Sequence, residues 1–313
     1  MTETATDQIV STPGAAAPRR RGRRGDTRGY ARESQRSTLL TVLLWICALY
    51  FLLPIVWLFI ASTKNNGDLF STFGFAFGRS FDLFTNIGAV FTTQNGIYLQ
   101  WALNTLIYAV VAAIGASLLA TMAGYAFAKY KFPGALVMFS IVLGAIMIPL
   151  TALALPTYLM FSQIGITNTP AAVIVPSLVS PFGVFLMRVY AADAIPDSMI
   201  EAGRVDGAGE FRIFWQVGIR LLGPGIVTVF LFALVGTWNN YFLPLIMLNS
   251  SSLYPLTVGL AQLQATSAAG GGSQALFSVV ITGSLVSIIP LVIAFLFLQR
   301  YWTTGLASGS VKE

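Results

Sequence analysis

Residues 39–61 read LLTVLLWICALYFLLPIVWLFIA, 23 residues in a row without a charge. An α-helix needs about 20 such residues to cross the ~30 Å hydrocarbon layer of a bilayer. The run is far longer than the roughly 7 to 15 apolar residues of a cleaved leader, and no small-x-small site follows it. It reads as a retained membrane helix. Cys47, the one cysteine, sits at its middle among leucines and reads as a small buried hydrophobe. Alone, it can form neither an internal disulfide nor a cysteine-based metal cluster.

Five more runs of this kind follow. They cover Trp101–Ala128, Ala135–Phe161, Ala171–Tyr190, Leu221–Leu248 and Ala275–Leu298. Arg188 is the only charged residue in any of the six, near enough to an end to snorkel. The whole chain of 313 residues is 56% hydrophobic and only 10% charged, against roughly 25% charged in soluble domains. The expected fold is therefore all-α and polytopic, with six transmembrane helices in one domain over residues 37–313. Ahead of it, residues 1–36 form a basic, polar tail expected to be disordered.

Basic residues set the expected orientation. With the amino terminus inside, the inner segments hold sixteen Lys and Arg and the outer ones only Lys64 and Arg79. Both termini are then cytoplasmic. Eight of the sixteen lie between Arg19 and Arg36. A basic cluster directly before a membrane span suits anionic lipid better than nucleic acid, which is not expected as a partner. Trp101, Tyr190, Tyr301 and Trp302 fall near the predicted interfaces. The outer segments 62–100 and 268–274 are surfaces on which an external partner could dock.

Eight prolines fall in five of the runs: Pro54, Pro149, Pro156, Pro176, Pro181, Pro224, Pro244 and Pro290. Each removes a backbone donor and is expected to kink its helix.

The chain lacks the groups that would let it do work alone. It has no histidine, and no acidic residue between Leu83 and Ala192 or between Phe211 and Lys312. Ion-coupled transporters usually place such groups inside the bilayer. A sodium site made of carbonyls stays open, so a secondary transporter is the alternative reading. No phosphate-binding G-x-x-x-x-G-K-[ST] stretch, nucleophile elbow or metal cluster occurs. The chain is not expected to be an enzyme or to hold a cofactor, and its energy must come from another polypeptide at the inner face.

The longest inner loop, residues 191–220, is the expected contact. It reads AADAIPDSMIEAGRVDGAGEFRIFWQVGIR. Pro196 can open a helix, Asp197 complements its dipole, and Asp206-Gly207 should end it. A second short helix over 210–218 would put Phe211, Phe214 and Trp215 on one face. Two roles are open to Glu201: a contact with the partner, or a capping box with Ser198.

This loop resembles the EAA loop of ABC importer permeases, E-A-A-x-x-x-G followed by nine residues and I-x-L-P. Here Glu201, Ala202, Gly203 and Gly207 stand in the first part, and Val217, Ile219 and Arg220 in the second. Gly203 replaces an alanine, and Arg220 replaces the proline. Two further stretches are similar to the carbohydrate, maltose-type branch: WNNYFLPL from Trp238, and QRYWTTGLASGSVK from Gln299.

The resemblance implies a type I ABC importer permease fold and a bacterial cytoplasmic membrane location. It also implies a second permease subunit as heterodimer partner, two cytoplasmic ATPase subunits that bind ATP and Mg, and an extracellular sugar-binding protein. Glu201, Ala202, Gly203, Asp206 and Gly207 would couple to the ATPase, with Phe214 and Val217 filling an apolar groove. Trp238, Asn239, Asn240 and Tyr241 would line a sugar pathway, as would Asn104, Tyr108, Tyr158 and Thr151. Interhelical hydrogen bonding is the open alternative for these polar residues.

Overall fold

The computed structural model describes residues 38–269 and 276–308, and side chains among them up to 299 together with Tyr301. The tail and the loop at 270–275 lie outside these residues. So do the last five positions, which leaves the closing motif largely untested. Every regular element among the described residues is helical.

The chain divides at Tyr50–Phe51 into two compact units. Helix α1, Thr38–Ser62, runs through this boundary. In the first unit, Thr38 to Tyr50 are all exposed. Cys47 is exposed as well, contrary to the buried hydrophobe expected. A helix surrounded by lipid needs no protein neighbour, so an apolar side chain there is not a sign of a protein core.

In the second unit, α2 (Asn66–Ser71), α3 (Leu83–Thr92) and a 3-10 turn (Thr93–Gly96) precede α4, Ile97–Lys129. The turn stacks three positive φ values, 48° at Gln94, 59° at Asn95 and 77° at Gly96. Next come α5 (Ala135–Ile146), α6 (Leu150–Gln163), α7 (Pro170–Ser177) and α8 (Pro181–Ala194). The loop 191–220 carries α9 (Asp197–Val205), α10 (Glu210–Ile213), a π turn (Phe214–Gly218) and α11 (Ile219–Leu221). Then follow α12 (Gly223–Trp238), α13 (Phe242–Met247), a 3-10 turn (Ser251–Leu253), α14 (Leu256–Ala269) and α15 (Phe277–Ser308).

Among the described residues, four helical stretches are long and apolar enough to cross a membrane: Thr38–Ser62, Leu83–Lys129, Pro170–Ala194 and Phe277–Gln299. Counting each bent pair as one span raises the number to six; α5 with α6 turns through 105°, and Glu210–Leu221 with α12 through 78°. Two expected spans differ, and Ala135–Phe161 is the first, broken between α5 and α6. The run Leu221–Leu248 is not a single helix, because α12 stops at Trp238 and α13 starts afresh at Phe242. The prolines explain part of the pattern. Pro149 caps α6 at the sharp bend, and Pro181 and Pro224 lie in the first turns of α8 and α12. There the missing N–H has no helical partner to lose. Pro54, Pro156, Pro176 and Pro290 do lie inside helices.

Helix α4 is the spine of this unit and packs along α8 and α12. Its inward face is built from small residues: Ala109, Ala112, Ala113, Ala116 and Ala120 are all at most 1% exposed. Small side chains let helix backbones approach closely, which is how helices associate where lipid is as apolar as leucine. At Gly124 a Cβ would lie 2.5 Å from Met187 Cβ and 2.7 Å from the backbone nitrogen of Arg188. Arg188 does more than snorkel: its guanidinium lies 3.8 Å from the centre of the Phe139 ring, tying α8 to α5.

The segment that follows α1 is folded by its own polar groups. Buried Lys64 donates to the Phe73 carbonyl at 2.9 Å, and Asp68 accepts from the Arg79 amide at 2.8 Å. Asn86 donates to the carbonyls of Ser62 and Lys64.

Candidate functional site

The loop 191–220 folds as a hairpin of α9 and α10 against the C-terminal ends of α4 and α8. Pro196 precedes α9 in an extended conformation (ψ 137°), and no side chain caps the helix. Ser198 is therefore inside the first turn rather than at the cap, so the capping box does not form. Glu201 is exposed and makes no hydrogen bond or ion pair among the described residues.

The end of α9 follows from one glycine. Gly207 has φ 77°. Its amide donates to the Arg204 carbonyl at 3.0 Å and the Ala208 amide to the Gly203 carbonyl at 2.9 Å. This pair of bonds is the Schellman closure, which needs a left-handed residue at that position.

The hairpin has two apolar faces with different roles. Ile200, Ile213 and Phe214 point inward and are at most 6% exposed, packed with Tyr125, Met187, Ala191 and Ile195. Gly203 belongs to this inner face, since a Cβ there would sit 3.1 Å from Ile213 Cγ1. Phe214, expected to fill a partner's groove, instead packs on Tyr125 with ring centres 5.1 Å apart. Val217 is partly buried against the same cluster. The open apolar surface consists of Val205 at 87% exposure, Phe211 at 70%, Trp215 at 42% and Met199 at 44%. The rings of Phe211 and Trp215 meet edge to face at 5.8 Å. Glu201, Ala202, Asp206 and Gly207 are exposed beside them.

Between α10 and α11 the π turn sets the Ile219 amide on the Phe214 carbonyl, five residues back. Gly218 sits against Tyr125 within this turn; a Cβ would be 3.5 Å from its ring. The Tyr125 hydroxyl is buried without a hydrogen-bond partner. Arg220, where the resemblance has proline, is exposed in a helical turn, and the chain instead bends at Leu222 ahead of Gly223-Pro224.

One ion pair and one hydroxyl hydrogen bond tie the hairpin to the end of α4, and a second ion pair closes the hairpin on itself. Lys129 Nζ donates to Asp197 at 2.8 Å and to the Ile195 carbonyl at 2.5 Å. Glu210 accepts from Arg204 at 2.6 Å and from the Tyr130 hydroxyl at 2.8 Å. The hydrogen bond from Lys129 lowers the pKa of Asp197, and those from Arg204 and Tyr130 lower that of Glu210. A depressed carboxylate pKa contributes stability above its unfolded value, near 4, and loses it as pH falls through the folded value. Amide exchange across 197–210, corrected for intrinsic rate, should be flat from pH 8 to about pH 5 and rise below about pH 4. Glu210→Gln should blunt that rise.

A second feature lies where α12 ends. Trp238, Asn239 and Tyr241 line a cleft of about 310 Å³ between α12, α14 and α15. Thr257 and Gln264 from α14 and Ser284 and Ser287 from α15 complete its polar wall. Asn240 is not part of the wall. Its side chain accepts from the Leu243 amide at 3.3 Å and its carbonyl accepts from Thr257 at 2.8 Å, so it shapes the turn.

The remaining pathway candidates are elsewhere. Asn104 donates to the carbonyls of Ser252 and Tyr254, and Tyr108 to that of Leu253. Both hold the loop after α13, the structural alternative. Tyr158 packs in a separate cluster with Phe161 and Met247, and Thr151 is exposed on α6. Sequence reasoning missed the α14 and α15 residues, although their spacing is a signal. Thr257 and Gln264 are two helical turns apart, and Ser284 and Ser287 lie within one, so each pair shares a face.

Fold and site together define a polytopic helical membrane component with a docking-shaped inner hairpin. Residues 116–303 match the family described as binding-protein-dependent transport system inner membrane component, and the chain belongs to that family. It is thus a permease subunit that works with the other components of an ABC importer, not an enzyme.

Its relatives include the arabinooligosaccharides transport system permease protein AraQ of Halalkalibacterium halodurans. That protein is 33% identical over 88% of this chain and 96% of its own length. The lactose transport system permease protein LacG of Rhizobium radiobacter is 27% identical over 85% and 93%. A solved bacterial ABC transporter involved in import of the acidic polysaccharide alginate has a chain that matches with TM-score 0.72 and 26% identity. That match covers 84% of this chain and 95% of the other.

Proposed function

We propose that this chain conducts a sugar or oligosaccharide through the bacterial cytoplasmic membrane, driven by separate ATPase subunits that grip the α9–α10 hairpin. The observation that carries this reading is the hairpin's outer face. Glu201 there has no hydrogen-bond or ion-pair partner among the described residues; exposed Val205 lies one helical turn on, and the exposed Phe211–Trp215 pair follows across the turn. A charge left unsatisfied next to exposed apolar surface suits a protein partner that supplies both a cation and a groove.

Both termini lie in the cytoplasm in this reading, so the hairpin is on the side where ATP is available. ATP and its magnesium bind the two ATPase subunits. A second permease completes the pathway, an extracellular binding protein delivers the sugar, and the basic tail lies on anionic lipid. Names of relatives support the sugar class: arabinooligosaccharides for AraQ, lactose for LacG.

Glu201→Lys tests the coupling. No hydrogen bond or ion pair among the described residues involves Glu201, so insertion and thermal stability should stay unchanged while ATP-driven uptake falls by about tenfold or more. Phe211→Ala with Trp215→Ala should release the ATPase from the purified complex. Normal uptake in Glu201→Lys would refute the docking face. Ion-driven uptake by the chain alone in vesicles would refute the importer reading itself.

A further inference from the structure

Whether the sugar touches this subunit at all is a separate question, and the cleft at the end of α12 bears on it. We propose that this cleft is a sugar subsite carried by this chain and selective for uncharged sugars over acidic ones, an inference that rests on the sugar-importer reading above.

The hydrogen-bonding state of the wall gives the argument. The Ser284 hydroxyl donates to the Val280 carbonyl at 2.8 Å, and Ser287 to the Ser284 carbonyl at 2.7 Å. Thr257 donates to the Asn240 carbonyl at 2.8 Å. A hydroxyl has one donor and two acceptor lone pairs. With their donors used inside the protein, these three lining residues have only acceptor capacity left to offer a ligand. Asn239 gives an amide N–H to the Val235 carbonyl at 3.0 Å, and its own Oδ1 has no partner among the described residues. The wall is thus rich in acceptors, and a ligand carrying many O–H donors complements it.

The aromatic and amide groups complete the match. Trp238, Tyr241 and Gln264 make no side-chain hydrogen bond among the described residues. Tyr241, 42% exposed, gives the cleft an aromatic side chain, Trp238 at 8% forms part of its buried floor, and Gln264 offers both a donor and an acceptor. The volume of about 310 Å³ is at the small end for ligand pockets and suits one or two sugar units. No Lys or Arg lines the cleft. A carboxylate entering it would shed water and find no cationic side chain to pair with, which disfavours a uronate. A neutral sugar meets no such penalty.

The test uses the assembled importer in proteoliposomes, with its binding protein in saturating amount. Tritiated neutral di- to tetrasaccharides (arabinan, lactose and melibiose types) and matched oligogalacturonides are the probes. The expected result is uptake of at least one neutral probe and none of the oligogalacturonides. Gln264→Ala and Ser284→Val should each raise the KM for uptake about five- to tenfold, the effect of one hydrogen bond lost on each. Gln264→Asn should restore part of it, and ATPase activity stimulated by the unloaded binding protein should not change.

An unchanged KM in both variants would overturn the subsite and leave the importer reading intact. So would uptake of oligogalacturonides as fast as neutral sugars. If the wild type carries no sugar of either kind, the importer reading falls and takes the subsite with it.

Discussion

Gly207→Val is expected to leave the protein folded in the membrane while lowering ATP-driven uptake by about tenfold. The reason is conformational rather than steric. A Cβ at Gly207 would meet nothing within 4 Å, but the residue has φ 77°. For an L-residue the left-handed region costs roughly 1–2 kcal/mol, and β-branching makes it worse. The hairpin has few means of absorbing this, because the Schellman bonds to Arg204 and Gly203 depend on that φ.

The chain should therefore leave α9 in another direction and move the Phe211–Trp215 pair away from Glu201. A difference of 1.4 kcal/mol in docking is about tenfold. Gly207→Asn is the informative control, since asparagine tolerates the left-handed region better than other non-glycine residues. It should keep most of the uptake. Uptake measured in vesicles with surface-accessible cysteine labelling at position 211 would read both effects. Wild-type uptake in Gly207→Val would show that the exit angle of α9 is irrelevant to coupling.

The second large effect is expected at Gly124, where the cause is steric. Gly124→Ala puts a Cβ 2.5 Å from Met187 Cβ and 2.7 Å from the Arg188 nitrogen, closer than packed atoms come. Half of that obstruction is backbone, so no rotamer change relieves it. Overpacking of this kind costs about 1–3 kcal/mol, which at roughly 2–4 °C per kcal/mol corresponds to a fall of about 2–12 °C in the thermal midpoint.

Separating α8 from α4 also disturbs the Arg188 contact with Phe139 and the Ala191 and Ile195 end of α8, on which the hairpin rests. Gly144→Ala on α5 supplies the control, because a Cβ there meets nothing within 4 Å. A thermal midpoint unchanged in Gly124→Ala but lowered in Gly144→Ala would reverse the assignment of which helices form the tight pair.

Much of this was legible in the sequence, for reasons that differ by element. The charge-free run 39–61 could be nothing but a membrane helix, and Asp206-Gly207 could only be a turn. The run 221–248 misled because hydropathy reports apolar content and not continuity. Leucine and phenylalanine stand on both sides of Asn239, yet α12 ends there. Phe211, Phe214 and Trp215 are equally apolar, so composition cannot say which faces inward. Phe214 is chosen by the Tyr125 ring, a contact across about ninety residues that no local pattern encodes. Asn104 and Tyr108 were misplaced for the same reason, as their acceptors are backbone carbonyls of Ser252, Leu253 and Tyr254. Local chemistry identified these side chains as hydrogen-bonding groups. Only the fold supplies the partners.

The π turn at Phe214–Gly218 has a consequence for phase. Each residue of an α-helix advances it by about 100°, and a π turn holds one residue more than the α ladder needs. Deleting one residue between Phe214 and Gly218 would restore α spacing and rotate α10 by about 100° against α11. The Phe211–Trp215 edge would then swing off the face that carries Glu201, while α12 beyond the bend kept its setting. The extra residue thus acts as an angular offset, setting the bearing of the docking edge independently of the membrane helices behind it.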